Sequence, residues 1–341
     1  MKILITGGAG FIGCHLARHF SRLGHNITIF DNLSRRGSET NLEWLQSDVV
    51  REVRFVPGDV RDANGIADAA KEQEAIFHLA GQVAVTTSVT NPREDFEINA
   101  LGTFNVLEAA RAAGTNPIFI YTSTNKVYGG MESTGVVEGP ARYEFADLPM
   151  GVPESQPLDF HSPYGCSKGA GDQYVRDYAR IYSLPTVVFR QSAIYGPRQF
   201  GVEDQGWLAF FAICAAVGRP ITIYGDGKQV RDVLYIGDLA RAFESAVERI
   251  DRVRGEVYNI GGGPEFTLSI WTETGPLLEK VSGRKLPVRY ADWRPGDQRI
   301  YVSDIRKAER ELGWRPTVRP EDGLEQMWEW IVENKRLFEA V

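Results

Sequence analysis

Tyr164 and Lys168 stand four positions apart in the run Ser162-Pro163-Tyr164-Gly165-Cys166-Ser167-Lys168, which leads into a helix-like stretch through Tyr182. On a helix that spacing places a phenol and an ammonium on one face. An ordinary tyrosine titrates near pH ~10, and a cation fixed beside it favours the phenolate and lowers that value. The pair predicts a general base that removes a proton from a hydroxyl while hydride leaves the same carbon. Such pairs also occur by chance on many helices, so the elements around this one carry the decision.

Those elements alternate. Lys2 to Thr6 reads as a strand, and Gly7-Gly8-Ala9-Gly10-Phe11-Ile12-Gly13 opens an amphipathic helix. Glycines in a strand-to-helix turn let the backbone approach a pyrophosphate, and the helix N-terminus adds amides and partial positive charge. A second strand, Asn26 to Phe30, ends at Asp31, eighteen residues after Gly13, where a carboxylate can bind adenosine ribose hydroxyls. Asp31 would repel a 2'-phosphate, which favours NAD over NADP, although Arg35 and Arg36 lie close enough in sequence to accommodate one. Arg54 to Val56 and Ala75 to Leu79 read as further strands, with Asp59 and Ala80 to Gln82 at their carboxyl ends. Asp95 to Ala113 reads as one long helix carrying Asn99, Ile118 to Thr122 as a fifth strand closing on Ser123 and Thr124, and Thr186 to Arg190 as a sixth. The alternation predicts an α/β, doubly wound parallel sheet of Rossmann type with its ligand crevice beyond the strand carboxyl ends.

Composition excludes several classes. The 341 residues carry 43% hydrophobic side chains, enough for a sizeable core, and a formal charge of -7. An acidic chain is a poor match for nucleic acid or an anionic membrane, and no apolar run approaches the ~20 residues of a membrane span. With no leader-like segment, a cytoplasmic location is expected. Cys14, Cys166 and Cys214 form no paired motif and read as reduced thiols, with Cys166 packed beneath the active site. His15 and His19 are spaced like metal ligands but lack a third, so no metal is expected and both read as helix-surface residues.

Set in order, the tracts TGGAGFIG, DNLSR, GDVRD, HLAGQ, EINALGTFNVLEAAR, the Ser/Thr strand end, YGCSK, YGP, GKQVRD and RPGD resemble the extended short-chain dehydrogenase/reductase superfamily in its nucleotide-sugar epimerase and dehydratase branch. The resemblance implies that Thr124 hydrogen-bonds the reacting sugar oxygen, that Tyr164 is the acid/base, and that Lys168 grips the nicotinamide ribose. It implies cofactor contacts from Gly7, Gly10, Phe11, Ile12, Gly13, Asp31, Asn32, Asp59, Val60, Leu79, Ala80, Gln82 and Asn99. It implies substrate contacts from Asn125, Arg198, Arg231, Arg294 and Gln298, with the arginines suited to a diphosphate. It also implies that residues 1–190 form mainly the NAD-binding domain and 191–341 mainly a smaller α/β nucleotide-sugar domain, with the chain crossing between them, and it implies tightly bound NAD+, a nucleotide-sugar substrate, and a homodimer or homotetramer.

Dehydratases of the branch carry an Asp-Glu pair directly after the threonine, because elimination of water needs a further acid and base. Here those positions are Asn125 and Lys126, which argues against dehydration. TSTNKVYG, DFHSPYGCSKGAGDQYV, DQGW and Asp297-Gln298-Arg299 resemble the subfamily of CDP-sugar 2-epimerases that act on CDP-paratose. The 4-epimerase pattern has Asn where this chain has Ala193, so a UDP-sugar 4-epimerase stands second and an NAD-binding regulatory protein third. The segment from Gly130 to His161 is too long for a simple connector and is expected to cover the sugar.

Overall fold

The computed structural model describes residues 1–48, 53–294 and 297–339. Pro295 and Gly296 of the RPGD tract lie outside the described residues. Seven strands, β1 (Lys2–Thr6), β2 (Asn26–Asp31), β3 (Val53–Pro57), β4 (Ala75–His78), β5 (Ile118–Thr124), β6 (Thr186–Gln191) and β7 (Glu256–Ile260), form one parallel sheet. Their order is β7-β6-β5-β4-β1-β2-β3, so the winding reverses between β1 and β4 and opens a crevice at that point.

Continuous apolar runs make this sheet. Every residue of β4 and β6 is buried, as expected for parallel strands covered on both faces. On one face Phe20, Phe77, Phe243 and Phe189 meet edge to face at 4.9 to 5.1 Å beneath the helices Phe11–Arg22 and Ile236–Glu248. On the other, Phe119, Tyr121 and Val188 pack under the helices Gly102–Ala112 and Ser162–Tyr182.

The chain then builds a smaller unit from Val230–Tyr235, paired with Ala193–Tyr195, Thr267–Ser269 and Ile300–Tyr301, together with the helices Trp207–Val217, Thr274–Ser282 and Pro320–Glu333. Leu208, Phe211, Leu278, Leu324 and Ile331 form its core. Between those strands the chain returns to the main sheet, where β7 pairs with β6 in register from Glu256 against Val187 to Ile260 against Gln191.

Three local expectations need correction. The helix expected over Asp95 to Ala113 is an α-helix at Pro92–Phe96, a π turn at Glu97–Leu101, and an α-helix at Gly102–Ala112. A π turn inserts one residue into the helical repeat, and such insertions mark functional sites; Asn99 sits inside it. Cys166 does not pack beneath the site: it is exposed, with Sγ 3.6 Å from the Phe160 carbonyl, because its helix turns Tyr164 and Lys168 inward and Cys166 outward. His15 and His19 are not free surface residues either. His15 Nε2 lies 2.9 Å from the Pro197 carbonyl oxygen and His19 Nε2 2.7 Å from Glu244 Oε2, which ties the first helix to the later chain. Of the long segment, Val136–Glu138 pairs with Tyr143–Phe145, and Phe145, Leu148, Leu158 and Phe160 pack around Val127, Tyr128 and Tyr301.

Candidate active site

The Gly-rich turn lies at the reversal point of the sheet. Gly7 adopts φ +68°, and a Cβ there would stand 2.8 Å from the Ala80 nitrogen. A Cβ on Gly13 would stand 2.4 Å from the Gly7 oxygen and 2.5 Å from the Gly8 Cα, so only glycine lets the helix start this close to the strand. Phe11 and Ile12 follow at the helix N-terminus and line a cavity of about 210 Å³ with Thr124, Tyr164 and Trp207. At the end of β2, Asp31 accepts from the backbone nitrogens of Ala9 (3.0 Å) and Leu33 (2.8 Å), and burial raises its pKa. Asn32 donates to Asp59 (2.9 Å), whose carboxylate is gripped by Arg61 and held down at about 2. Arg35 and Arg36 are engaged elsewhere, Arg35 with Gln205 Oε1 and Arg36 with the Leu337 carbonyl, both at 2.8 Å. Glycine cradle, open amides and a carboxylate at the second strand fit a dinucleotide whose ribose hydroxyls are free of phosphate.

The reacting group is set by two elements. Thr124 is the last residue of β5, and its Oγ1 caps the following turn by accepting from the Lys126 nitrogen at 3.3 Å. Tyr164 enters from the first turn of the Ser162–Tyr182 helix, and it lines the same cavity as Thr124. Ser162 holds that entry at φ +63° directly before Pro163, with its Oγ accepting from the Gly165 nitrogen at 3.2 Å. A non-glycine residue at positive φ is costly and persists where surrounding structure fixes it.

The electrostatics depart from the sequence expectation. Burial pushes the Tyr164 phenol up to about 12, opposed by the Thr124 hydrogen bond and the Arg35 charge; Lys168 is not among the groups that lower it. Lys168 Nζ lies 4.3 Å from the centre of the Tyr121 ring, and a Cβ on Gly81 would come within 3.9 Å of it. It is buried, and desolvation lowers it to about 7 while Asp172 and Asp95 favour its charged form.

A polar scaffold missed by sequence reasoning lies behind this pair. Asp95, 1% exposed, accepts from Ser167 Oγ (2.5 Å), Gln82 Nε2 (3.0 Å) and Asn99 Nδ2 (3.0 Å). Asn99 in turn accepts from the Gln82 nitrogen (2.9 Å) and donates to its carbonyl (3.0 Å), locking the Ala80 to Gln82 turn. Thr103 donates to the Asn99 carbonyl at 2.6 Å and pairs with His78 Nε2 at 2.9 Å, while Thr6 Oγ1 meets His78 Nδ1 at 2.7 Å. The signal was present: Asp95, Asn99 and Thr103 recur every four residues on one face of an otherwise ordinary amphipathic segment. A turn beyond Lys168, fully buried Asp172 takes two bonds from Arg190 (2.8 and 2.9 Å) and one from Ser123 (2.8 Å).

Of the expected substrate residues, the structure gathers some and not others. Arg231 Nη2 donates to Asp297 at 2.8 Å. Arg294 lies 3.9 Å over the Tyr224 ring and 3.3 Å from Asp204. Gln298 accepts from Lys126 Nζ at 3.3 Å and donates to the Gly129 carbonyl at 2.5 Å. Asn125 stands beside Thr124, with Oδ1 accepting from the hydroxyl at 3.3 Å. Arg198 departs from this group: its guanidinium stacks 4.0 Å from the Trp44 ring and 5.7 Å from Trp330, where aromatic faces stabilise the cation.

A Rossmann-type sheet whose fifth strand presents a threonine to a buried tyrosine, with a lysine one turn further on, defines an extended short-chain dehydrogenase/reductase. More narrowly, the chain belongs to the GDP-mannose 4,6 dehydratase family, whose profile matches residues 4–327. It is 46% identical to CDP-paratose 2-epimerase of Salmonella typhi over 97% of this chain and 99% of that protein. It is 35% identical to a dTDP-glucose 4,6-dehydratase of Salmonella typhimurium over 98% of this chain and 93% of that one. Among solved structures, UDP-glucose 4-epimerase of Thermotoga maritima with UDP-glucose superposes with a TM-score of 0.83 at 32% identity, covering 98% of this chain and all 100% of that one. UDP-glucuronic acid 4-epimerase of Bacillus cereus with UDP-glucuronic acid and NAD gives 0.84 at 29%, over 98% and 100%.

Proposed function

We propose that the protein is an NAD-dependent nucleotide-sugar epimerase that inverts C2 of CDP-paratose or a closely related NDP-hexose. The observation that carries this reading is the intact Thr124, Tyr164 and Lys168 group followed by Asn125 and Lys126, where elimination would need two carboxylates. The 46% identity to a CDP-paratose 2-epimerase supports the choice of carbon and nucleotide. When bound, NAD+ supplies a hydride acceptor and a positive charge that favours phenolate at Tyr164.

The chain's own part follows from the geometry. Tyr164 takes the proton of the reacting hydroxyl and later returns it, while Thr124, which lines the same cavity, holds that oxygen by a hydrogen bond from its hydroxyl. Lys168, whose charged form is favoured by Asp172 and Asp95, would hold the nicotinamide ribose. Asn99 and Gln82 brace the turn beneath it. Arg231 and Arg294 exchange their present carboxylate partners for the diphosphate, for which guanidinium geometry is suited. The keto sugar turns over between loss and return of hydride, so positioning rather than an additional acid carries the inversion.

The functional unit is a homodimer, placed in the cytosol, formed by the helices Gly102–Ala112 and Ser162–Tyr182. Phe104, Tyr174, Ile181 and Tyr182 are exposed along them, Phe96 and Leu101 are exposed in the segment leading into the first, and Phe104 and Tyr174 meet at 6.1 Å across the two helices. An apolar face of this kind marks an association surface.

The test is to supply CDP-paratose deuterated at C2, with no added NAD, and read the product by proton NMR. Inversion at C2 with the label retained supports the reading. Inversion at C4 moves the reaction to a different carbon, and label loss to solvent replaces hydride transfer by enolisation. Tyr164→Phe should abolish turnover while leaving NAD bound, and unchanged turnover would remove the phenol from the mechanism.

A further inference from the structure

A second cleft, larger than the reaction cavity at about 580 Å³, lies at the β7 edge of the sheet. It is walled by the Ser162–Tyr182 helix, the helix Arg306–Leu312 and the residues around Glu154. None of the residues assigned to the dinucleotide or the sugar lines it. On an acidic protein its lining is unusual: Arg176, Arg190, Arg306, Lys307 and Arg310 face only three carboxylates.

Those carboxylates are already engaged. Asp304 is held by Arg306 at 2.6 Å, Glu256 by Lys307 at 2.6 Å, and Glu154 accepts from the Asn259 nitrogen at 2.8 Å. Arg190 is committed to Asp172, and among the described residues Arg310 pairs with the neighbouring Glu311 at 2.8 Å. Arg176 is left least satisfied. Its Nη1 reaches Gln173 Oε1 at 3.4 Å, and its Nε is out of contact with solvent with no hydrogen-bond partner among the described residues. A guanidinium nitrogen left unpaired in a desolvated position is costly and calls for an acceptor. Burial disfavours the cation, Arg180 and Arg190 add to this and Asp172 and Glu256 oppose it, and an acceptor placed beside Arg176 would satisfy its unpaired nitrogen.

We propose that this cleft binds a small phosphate-bearing metabolite, with Arg176 and Arg310 gripping the phosphate above a floor formed by Arg190. Planar guanidinium groups pair with phosphate oxygens in a forked geometry, and the cleft volume suits a compact ligand. The site does not depend on the assignment of the reaction crevice.

The probe is inorganic pyrophosphate, titrated calorimetrically into the NAD-loaded protein with the crevice filled by saturating CDP. The expected result is one pyrophosphate per chain, weakened about tenfold or more by Arg176→Gln together with Arg310→Gln, at unchanged melting temperature. Arg231→Gln should leave this binding intact, which separates it from any diphosphate site in the crevice. Absence of binding with CDP present, or affinity unaltered in the double variant, overturns the proposal. So does affinity lost only in Arg231→Gln.

Discussion

Replacing Arg190 with methionine tests what holds the catalytic helix to the sheet. The Arg190 and Asp172 side chains are 3% and 0% exposed and joined by two short bonds. Removing the cation leaves a carboxylate in the interior with Ser123 and Gln173 as its remaining side-chain donors. Breaking one partner of a buried pair costs about 3–5 kcal/mol. Unfolding entropy scaled to a chain of this length is on the order of 0.7 kcal/mol per degree, so the midpoint should fall by about 4–7 °C in a calorimetric scan. Replacing both members, Arg190→Met with Asp172→Leu, should recover much of that loss, because no charge is left stranded. A loss below about 1 kcal/mol in the single variant, or a double variant no better than the single, would refute the assignment of Asp172 as a buried charge dependent on Arg190.

Three further outcomes follow from the geometry. His78 is fully buried and held near 3 against an ordinary value of 6.5, so the unfolded chain binds a proton there that the folded chain refuses. Stability at this site is complete above pH 6.5 and drains as pH falls toward 3, by about 2 kcal/mol at pH 5 relative to pH 8; His78→Gln should flatten that part of the profile in denaturant titrations. Gly13→Ala forces a methyl to 2.4 Å from backbone, where nothing yields cheaply, and should weaken NAD retention about tenfold or more, read by absorbance of released cofactor. Ile181→Glu, at a site 65% exposed, should give a monomer in sedimentation equilibrium where the parent chain gives the proposed dimer, with its fold intact by circular dichroism.

The sheet was legible because β-branched runs, glycine turns and a carboxylate at the second strand each report a local cause. The Tyr164 to Lys168 spacing placed both side chains on the inward face as read. What spacing could not report was desolvation: the ammonium sits against the Tyr121 ring, and burial, a property of the assembled interior, raises the phenol. Asp95 escaped notice because an acidic residue on a helix usually faces water, and its burial depends on Ser167 arriving from 72 positions away. The π turn escaped for the same reason: nothing in Glu97 to Leu101 breaks a helix, and the extra residue is accommodated where Asn99 meets Gln82.

The return of the chain to supply β7 has a consequence for how such a protein can change over time. A cut after Gln191 would strip β6 of its outer neighbour and expose a row of unpaired amides and carbonyls along a buried strand. The half of the chain after Gln191 therefore cannot be exchanged as a cassette, since any transplant must carry the edge of the recipient's own sheet. New specificity in this architecture has to accumulate by substitution within loops and helix faces, with both halves inherited as one piece.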